Sequence, residues 1–423
     1  MRAHRIRIVP TAVQERAFHG FARVVRWTWN TVLRAHNAQV AEWDAAGRAG
    51  PAPTIASLQP RFNEGRPAFA AWTSAAGHRD CWSEPFVDLQ RAFKAKREGR
   101  AAHPRPKRFD ATPSFYVAND KFSLDDRRIR LPKVGWVRVA ESLRFDGTPR
   151  CARVTRDGAG RWFASIQVAG VALPPAPAPL VEAVGIDVGI ANTITLSTGQ
   201  VYAAPRTTNA EKARMRRLQR SVSRKFEARK ARRAAVRKAG GDLRAVVASH
   251  REGAARQKVA RLHARIADRR RDWQHKTTTA IARQAGQLGL ETLSIKGMIR
   301  SKRKGQARAL SDIGLAEIHR QLRYKAEGRV HDWPRSYPSS QLCSACGVRR
   351  KMPLRSRIYR CACGLTLCRD ANAARNLDPR RLGGVRGAGG SQYAEVQAAT
   401  GLPVVQPVSA ESVKRRGGSL GLT

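Results

Sequence analysis

Residues 337–377 read YPSSQLCSACGVRRKMPLRSRIYRCACGLTLCRDANAARNL, and the rest of the chain is best understood outward from them. Cys343 and Cys346 form a C-x2-C pair, and after fourteen intervening residues Cys361 and Cys363 form a C-x-C pair. Two such knuckles bring four thiolates around one tetrahedral Zn²⁺, with Zn–S distances of about 2.3 Å. A site filled by four sulfurs keeps no open position, so the expected zinc is structural. Cys368 complicates the ligand set, because the tight C-x-C lets it compete with Cys363. Seven residues after Cys363 comes Asp370, leading the helix-like segment RDANAARNL. A zinc ribbon over 341–365, directly before an acidic helix start, points to a nucleic-acid grip joined to a catalytic centre.

Two further carboxylates stand where their neighbours give no reason for them. Asp187 interrupts the apolar strand AVGIDVGIA, where a buried charge is costly unless it meets a metal or a partner. Glu291 ends another apolar strand, LGLE. Asp370 sits where a helix dipole and free N–H groups favour an anion. Gathered together, the three acids suit two Mg²⁺ ions about 3.5–4 Å apart, which activate water and stabilise the leaving oxygen in phosphodiester hydrolysis. Each acid also has an ordinary structural reading: Asp187 as a turn residue, Glu291 as a strand-end charge, Asp370 as an N-cap.

Composition narrows the partner. Lys and Arg total 80 against 32 Asp and Glu, a formal charge of +48 and a pI of about 11.6. Solubility alone needs a net charge of only about 2–8. An excess this large fits a polyanion whose counterions are released on binding; the plain alternative is a solvated surface in which Arg replaces Lys. Seven cysteines, four of them at metal spacing, fit a reducing cytoplasm rather than a disulfide framework. Cys81 and Cys151 read as ordinary half-buried thiols. No apolar run approaches the ~20 residues of a membrane span, and no signal-peptide core is present.

Along the chain, Arg5–Val9 alternate basic and apolar as a half-exposed strand. From Val13 a helical period follows, with Phe18, Phe21, Val25, Trp29 and Val32 on one face. The region stays helical toward Phe109 and ends in KAKREGRAAHPRPKRF, a basic arm read as non-helical and suited to phosphate contact or to simple solvation. Residues 114–168 carry strand signals with a turn at Asp157-Gly158, which predicts a small barrel or sheet. Alternating Ala and Pro over 172–179 mark a linker. Val184–Asp187 and Thr193–Leu196 predict a hairpin. Glu211–Lys238 and His250–Trp273 predict two basic helices, lying along nucleic acid or forming a solvated coiled-coil arm. A separate helix is expected at Thr277–Leu288, a strand at Leu288–Leu293 and one helix at Ala309–Lys325. Beyond Asp378 the Gly-rich sequence predicts disorder.

The chain resembles TnpB, the OrfB-type protein of insertion sequences related to type V CRISPR effectors. The resemblance rests on RIRIVPTAVQERAF, RWTWN, RLPKVGWVRV, GIDVGIANTITLSTG, DWQHK, LGLETLSIKGM, LSDIGLAEIHRQLRYKAE, YPSSQLCSACG and CGLTLCRDANAARNL, and it runs to about residue 380. It implies an α/β RNase H-like RuvC nuclease domain, 184–340 and 366–380, split by a basic hairpin at 211–273 and by the ribbon. Before it would come a wedge β-barrel (1–12 and 110–170), a helical recognition insertion (13–109) and a linker (171–183), with a disordered tail at 381–423. The family's catalytic acids fall on Asp187, Glu291 and Asp370, and its zinc ligands on Cys343, Cys346, Cys361 and Cys363. Implied partners are a guide RNA from the element's end and double-stranded target DNA, in a prokaryotic, nucleoid-associated protein. Two departures stand out: the second knuckle is C-x-C where C-x2-C is commoner, and Cys368 replaces a usual acid. The expected activity is RNA-guided, Mg²⁺-dependent DNA cleavage. The alternatives are a guided repressor that no longer cuts and an RNA-independent transposase.

Overall fold

The computed structural model describes residues 1–109, 111–171, 178–300, 304–353 and 356–383. The chain divides into two compact units, 1–174 with 225–261, and 175–224 with 262–423.

The first unit opens with β1 (Arg2–Val9), α1 (Ala12–Ala45), α2 (Ile55–Phe69), α3 (Ala71–Ala76) and α4 (Asp80–Arg97). Thr11 caps α1 through a reciprocal exchange with Gln14, which fixes where the strand gives way to the helix. Six strands follow: β2 (Ser114–Ala118), β3 (Ser123–Leu124), β4 (Arg128–Leu131), β5 (Gly135–Val139), β6 (Thr148–Arg156) and β7 (Trp162–Ala169). They join β1 in one seven-stranded sheet of order β2-β6-β7-β1-β5-β4-β3. The expected barrel is corrected here: among the described residues the edge strands β2 and β3 do not pair, and the sheet stays open. Alternation works as the sequence implies. His4, Ile6 and Ile8 of β1 point inward while Arg5 and Arg7 face out, and the inner face packs on the Phe18–Phe21–Val25 stripe of α1.

Two local expectations change in this unit. The basic arm is helical up to Arg97, and beyond that it is bound along α1, where Trp29 donates to the Arg105 carbonyl (3.0 Å) and Asn30 exchanges bonds with Lys107. Trp29 is therefore core, only 8% exposed. Cys81 is fully buried rather than half-buried, and burial pushes its thiol up to about 12.

The second unit is built on β8 (Val181–Val188), β9 (Ile194–Leu196) and β10 (Val201–Tyr202), an antiparallel meander that includes the predicted hairpin. Two long helices follow in the chain, α5 (Asn209–Lys238) and α6 (His250–Gln284), of which 209–224 and 262–284 are counted with this unit. Then come β11 (Ala285–Glu291), α7 (Ile295–Arg300), α8 (Lys304–Ile313), α9 (Leu315–Lys325), β12 (Val330–Trp333), β13 (Ile358–Arg360), β14 (Thr366–Cys368) and α10 (Arg369–Asn376). A 3-10 turn over Pro379–Gly383 closes the described chain. The sheet order is β10-β9-β8-β11-β12, with β11 parallel to both β8 and β12. Among the described residues no helix is long and apolar enough to cross a membrane.

The separate helix expected at Thr277–Leu288 is instead the last part of α6, which ends at Gln284. Thr278 Oγ1 donates back to the Gln274 carbonyl (2.7 Å), so its hydroxyl is satisfied without breaking the helix. The expected helix Ala309–Lys325 is broken at Gly314, whose φ of +71° is the left-handed turn that separates α8 from α9. The Ala/Pro linker falls mostly, and the Gly-rich tail from 384 entirely, outside the described residues.

Candidate functional site

The site grows from two neighbouring parallel strands. Ile186 of β8 pairs with Leu290 of β11, so Asp187 and Glu291 follow at one level where the two apolar runs end. The third acid arrives on α10, which lies directly on those strands. A Cβ at Gly185 would meet the Ala374 carbonyl oxygen at 2.0 Å, and one at Gly289 the Leu377 carbonyl oxygen at 1.8 Å. Only glycine permits this approach. Trp333 Nε1 donates to the Leu377 carbonyl (2.8 Å), fastening the far end of the helix.

Asp370 is the second residue of α10, not its cap; Cys368 occupies the N-cap and makes no side-chain capping bond. The Asp370 carboxylate accepts from Asn192 Nδ2 (3.3 Å), which the β8–β9 turn presents. Arg206 donates to the Ile190 and Ala191 carbonyls and holds that turn in place.

Asp187 lies in the field of the other two acids. Burial, then the charges of Asp370 and Glu291, push the Asp187 carboxyl well above the usual carboxylate range, and Arg369 opposes them only in part. Burial likewise raises Glu291. Carboxylates whose proton affinity rises together are a donor set suited to a divalent cation, which relieves their repulsion.

The four cysteines converge as their spacing predicts. Their sulfurs all lie within 4.8 Å of one another, with Cys343–Cys363 and Cys346–Cys361 each at 3.6 Å. The edge of a ZnS4 tetrahedron with the usual bond length is about 3.8 Å, so a zinc ion fits with little movement. Burial works against ionising Cys343, yet the backbone N–H groups of Cys346 and Ala345 outweigh it and bring the thiol to about 7. At Cys363 the Leu365 N–H favours the thiolate, but the three neighbouring sulfurs outweigh it and push the group up to about 12. The cluster is consistent with a zinc ribbon, closed by the β13–β14 hairpin. Cys368 stands outside it.

Sequence reasoning missed the residues that join these parts. Asn372 and Asn376 are fully buried, and both donate to the Leu342 carbonyl in the first knuckle. Their signal was present as two amides four apart on one face of an otherwise Ala-rich helix. Asn192 carried no signal apart from its place in a turn.

Comparison with known proteins follows this geometry. The OrfB family of IS605 elements, described as "Probable transposase", matches residues 165–302. A "Cas12f1-like, TNB domain" matches 316–377. A "Helix-turn-helix domain" matches 1–42, where the structure has β1 and one uninterrupted helix. A protein of Streptomyces pristinaespiralis named "Putative RNA-guided DNA endonuclease" is 36% identical over 300 residues, 68% of each chain. InsQ of Escherichia coli K12, with the same descriptive name, is 29% identical over 400 residues, covering 89% of this chain and 91% of its own. A Mycobacterium tuberculosis H37Rv protein so described is 26% identical over 420 residues, 89% and 86% of the two chains. The chain belongs to this OrfB family of insertion-sequence proteins. A solved structure titled "Cryo-EM structure of CRISPR-Cas12f Ternary Complex" aligns over 86% of this chain and 81% of its own at 13% identity, with a TM-score of 0.28 that is too low to assign the fold.

Proposed function

We propose that the chain is an RNA-guided, Mg²⁺-dependent endonuclease that cuts double-stranded DNA beside a short adjacent motif. The observation that supports this reading is the register that sets Asp187 and Glu291 side by side at two strand ends, with α10, which bears Asp370, seated on the same strands. The names of the relatives support the same activity. Asp187, Glu291 and Asp370 would hold the Mg²⁺, and Cys343, Cys346, Cys361 and Cys363 the structural Zn²⁺. A bound Mg²⁺ pair supplies Lewis acidity and a more acidic attacking water. Asp187 feels the charge of both other acids, Asn192 would orient Asp370, and the glycine-seated α10 would keep the set assembled. The five-stranded mixed sheet with acids at its strand ends supports an RNase H-like, RuvC-type domain. The seven-stranded sheet and α1–α4 then serve as the wedge and the recognition insertion.

Base pairing to a guide would read the sequence, while the protein reads backbone and shape. α5 supports this: it carries thirteen Lys and Arg against two acids, buries no side chain, and so offers its cations to phosphates.

The test is expression with the element's native flank, sequencing of the copurified RNA, and Mg²⁺-dependent cleavage of matching DNA. A discrete RNA with guided cutting is expected. RNA with tight binding and no cutting would identify a silent repressor; no discrete RNA would favour the transposase.

A further inference from the structure

We propose that the four-thiol ribbon is the fixture that places Asp370, and that Asn372 and Arg369 transmit metal occupancy at the cysteines to the acid cluster. The proposal rests on the nuclease reading only for the consequence, not for the coupling itself.

α10 is eight residues long, too short to persist alone. Its two ends are held differently. The C-terminal half sits on the sheet, where Gly185 and Gly289 admit the backbone of Ala374 and Leu377 and Trp333 binds the Leu377 carbonyl. The first turn, which bears Asp370, has no capping side chain and no such seat. Asn192 meets the Asp370 carboxylate itself, but the residues on either side of Asp370 are held from the ribbon and the segment leading into it. On one side of Asp370, Arg369 donates to the Pro353 carbonyl (3.0 Å) and to Ser340 Oγ (3.2 Å). On the other, Asn372 Nδ2 donates to the Leu342 carbonyl (2.7 Å), and its Oδ1 accepts from the Ser344 N–H (2.9 Å).

The Asn372 contacts are to the backbone on either side of Cys343. Ser344 directly follows that ligand and Leu342 directly precedes it, so the conformation that four sulfurs impose is the one the amide recognises. The opposite knuckle is equally direct, because β14 runs from the C-x-C turn into Arg369 without a break. Both flanks of Asp370 are thus tied to metal-dependent backbone, whereas Asp187 and Glu291 stand on strands of the sheet. Losing the zinc should free one acid of the three and leave the other two in place. Displacement of a catalytic group by about 1 Å costs on the order of a hundredfold in rate, so the coupling makes cleavage depend on a metal that does no chemistry.

The experiment uses the full chain with its copurified RNA and reads hydrogen–deuterium exchange before and after zinc is stripped by a chelator. Exchange in the peptide spanning 369–377 should accelerate about tenfold or more, the scale of losing buried hydrogen bonds, while peptides from β8 and β11 stay unchanged. Asn372→Ala should keep one zinc per chain yet show the faster exchange already, with little added on stripping. Arg369→Ala is a second variant with the same expectation. Unchanged exchange in 369–377 after zinc removal would overturn the proposal, as would equal acceleration in β8 and β11, which marks general loosening. A zinc-retaining Asn372→Ala that responds like wild type would also overturn it. None of these readouts requires DNA cleavage, so a failed nuclease reading would show separately, as wild-type protein that binds its guided DNA target without cutting it.

Discussion

Asp80 in the first unit is buried and Asp187 in the second is half-buried, and the two are treated in opposite ways. Asp80, at the start of α4, is 5% exposed; it accepts from the Ala118 N–H (2.9 Å) and pairs with Lys121. Asp187, at the end of β8, makes no hydrogen bond or ion pair among the described residues and faces two other carboxylates. The first charge is compensated and ties a helix to a sheet edge. The second is left uncompensated by the protein, which costs stability unless a cation arrives. Under the proposed function, Asp187 is marked by the absence of a protein partner rather than by burial.

The largest expected effect separates the two acids by function. Asp187→Asn should lower guided cleavage by about a thousandfold or more, with RNA and DNA binding retained and stability held or raised. Cleavage rates, filter binding and denaturant titration measure these, and a stability loss would break the contrast. Asp80→Ala should do the reverse, costing about 3 kcal/mol because the Ala118 N–H and the half-buried Lys121 ammonium both lose their partner, with cleavage per folded molecule unchanged.

Acidity sharpens the comparison next. Burial lowers His78 in the first unit and His319 in the second to about 4, so each folds neutral. Both therefore contribute stability above the unfolded value of 6.5 that is lost as pH falls toward 4. At pH 5 the loss is about 2 kcal/mol for each group, and denaturation of His78→Gln and His319→Gln should show a flatter slope. Asp187 has the opposite sign: its raised carboxyl favours the fold at low pH, and that contribution fades as pH rises above 3.8. In divalent-free buffer, Asp187→Asn should remove this opposing slope.

The smallest effect concerns orientation. Asn192→Ala should reduce cleavage about tenfold, with higher Mg²⁺ required, as for partners that orient a metal-binding group. A rate unchanged at every Mg²⁺ concentration would show that the bond to Asp370 has no role in the chemistry.

Legibility in the sequence followed the range of the forces involved. The helix stripe of α1, the alternation of β1 and the β8–β9 hairpin are local periodicities, and the structure has them where the residues imply. The four cysteines converge because knuckle spacing nearly determines ligand geometry. The errors were of two kinds. A new helix was expected from Thr277, but Thr278 bonds back within α6; one helix was expected across Ala309–Lys325, but Gly314 turns the chain there. The barrel failed for a different reason. Which strands lie at the edges depends on pairings such as β1 with β7, about 160 residues apart in sequence, and no local pattern encodes whether the last two edges meet.

By itself the sequence determined the charge of +48, the strand and helix periods, the metal spacing and the identity of the three unexplained acids. Those properties depend on residue type and on neighbours a few positions away. Only the tertiary structure decided that α10 settles on Gly185 and Gly289, that Asn192 reaches Asp370, and that Asn372 grips the knuckle around Cys343. Such contacts join residues about 30 to 180 positions apart, where close packing rather than chain proximity selects the partner.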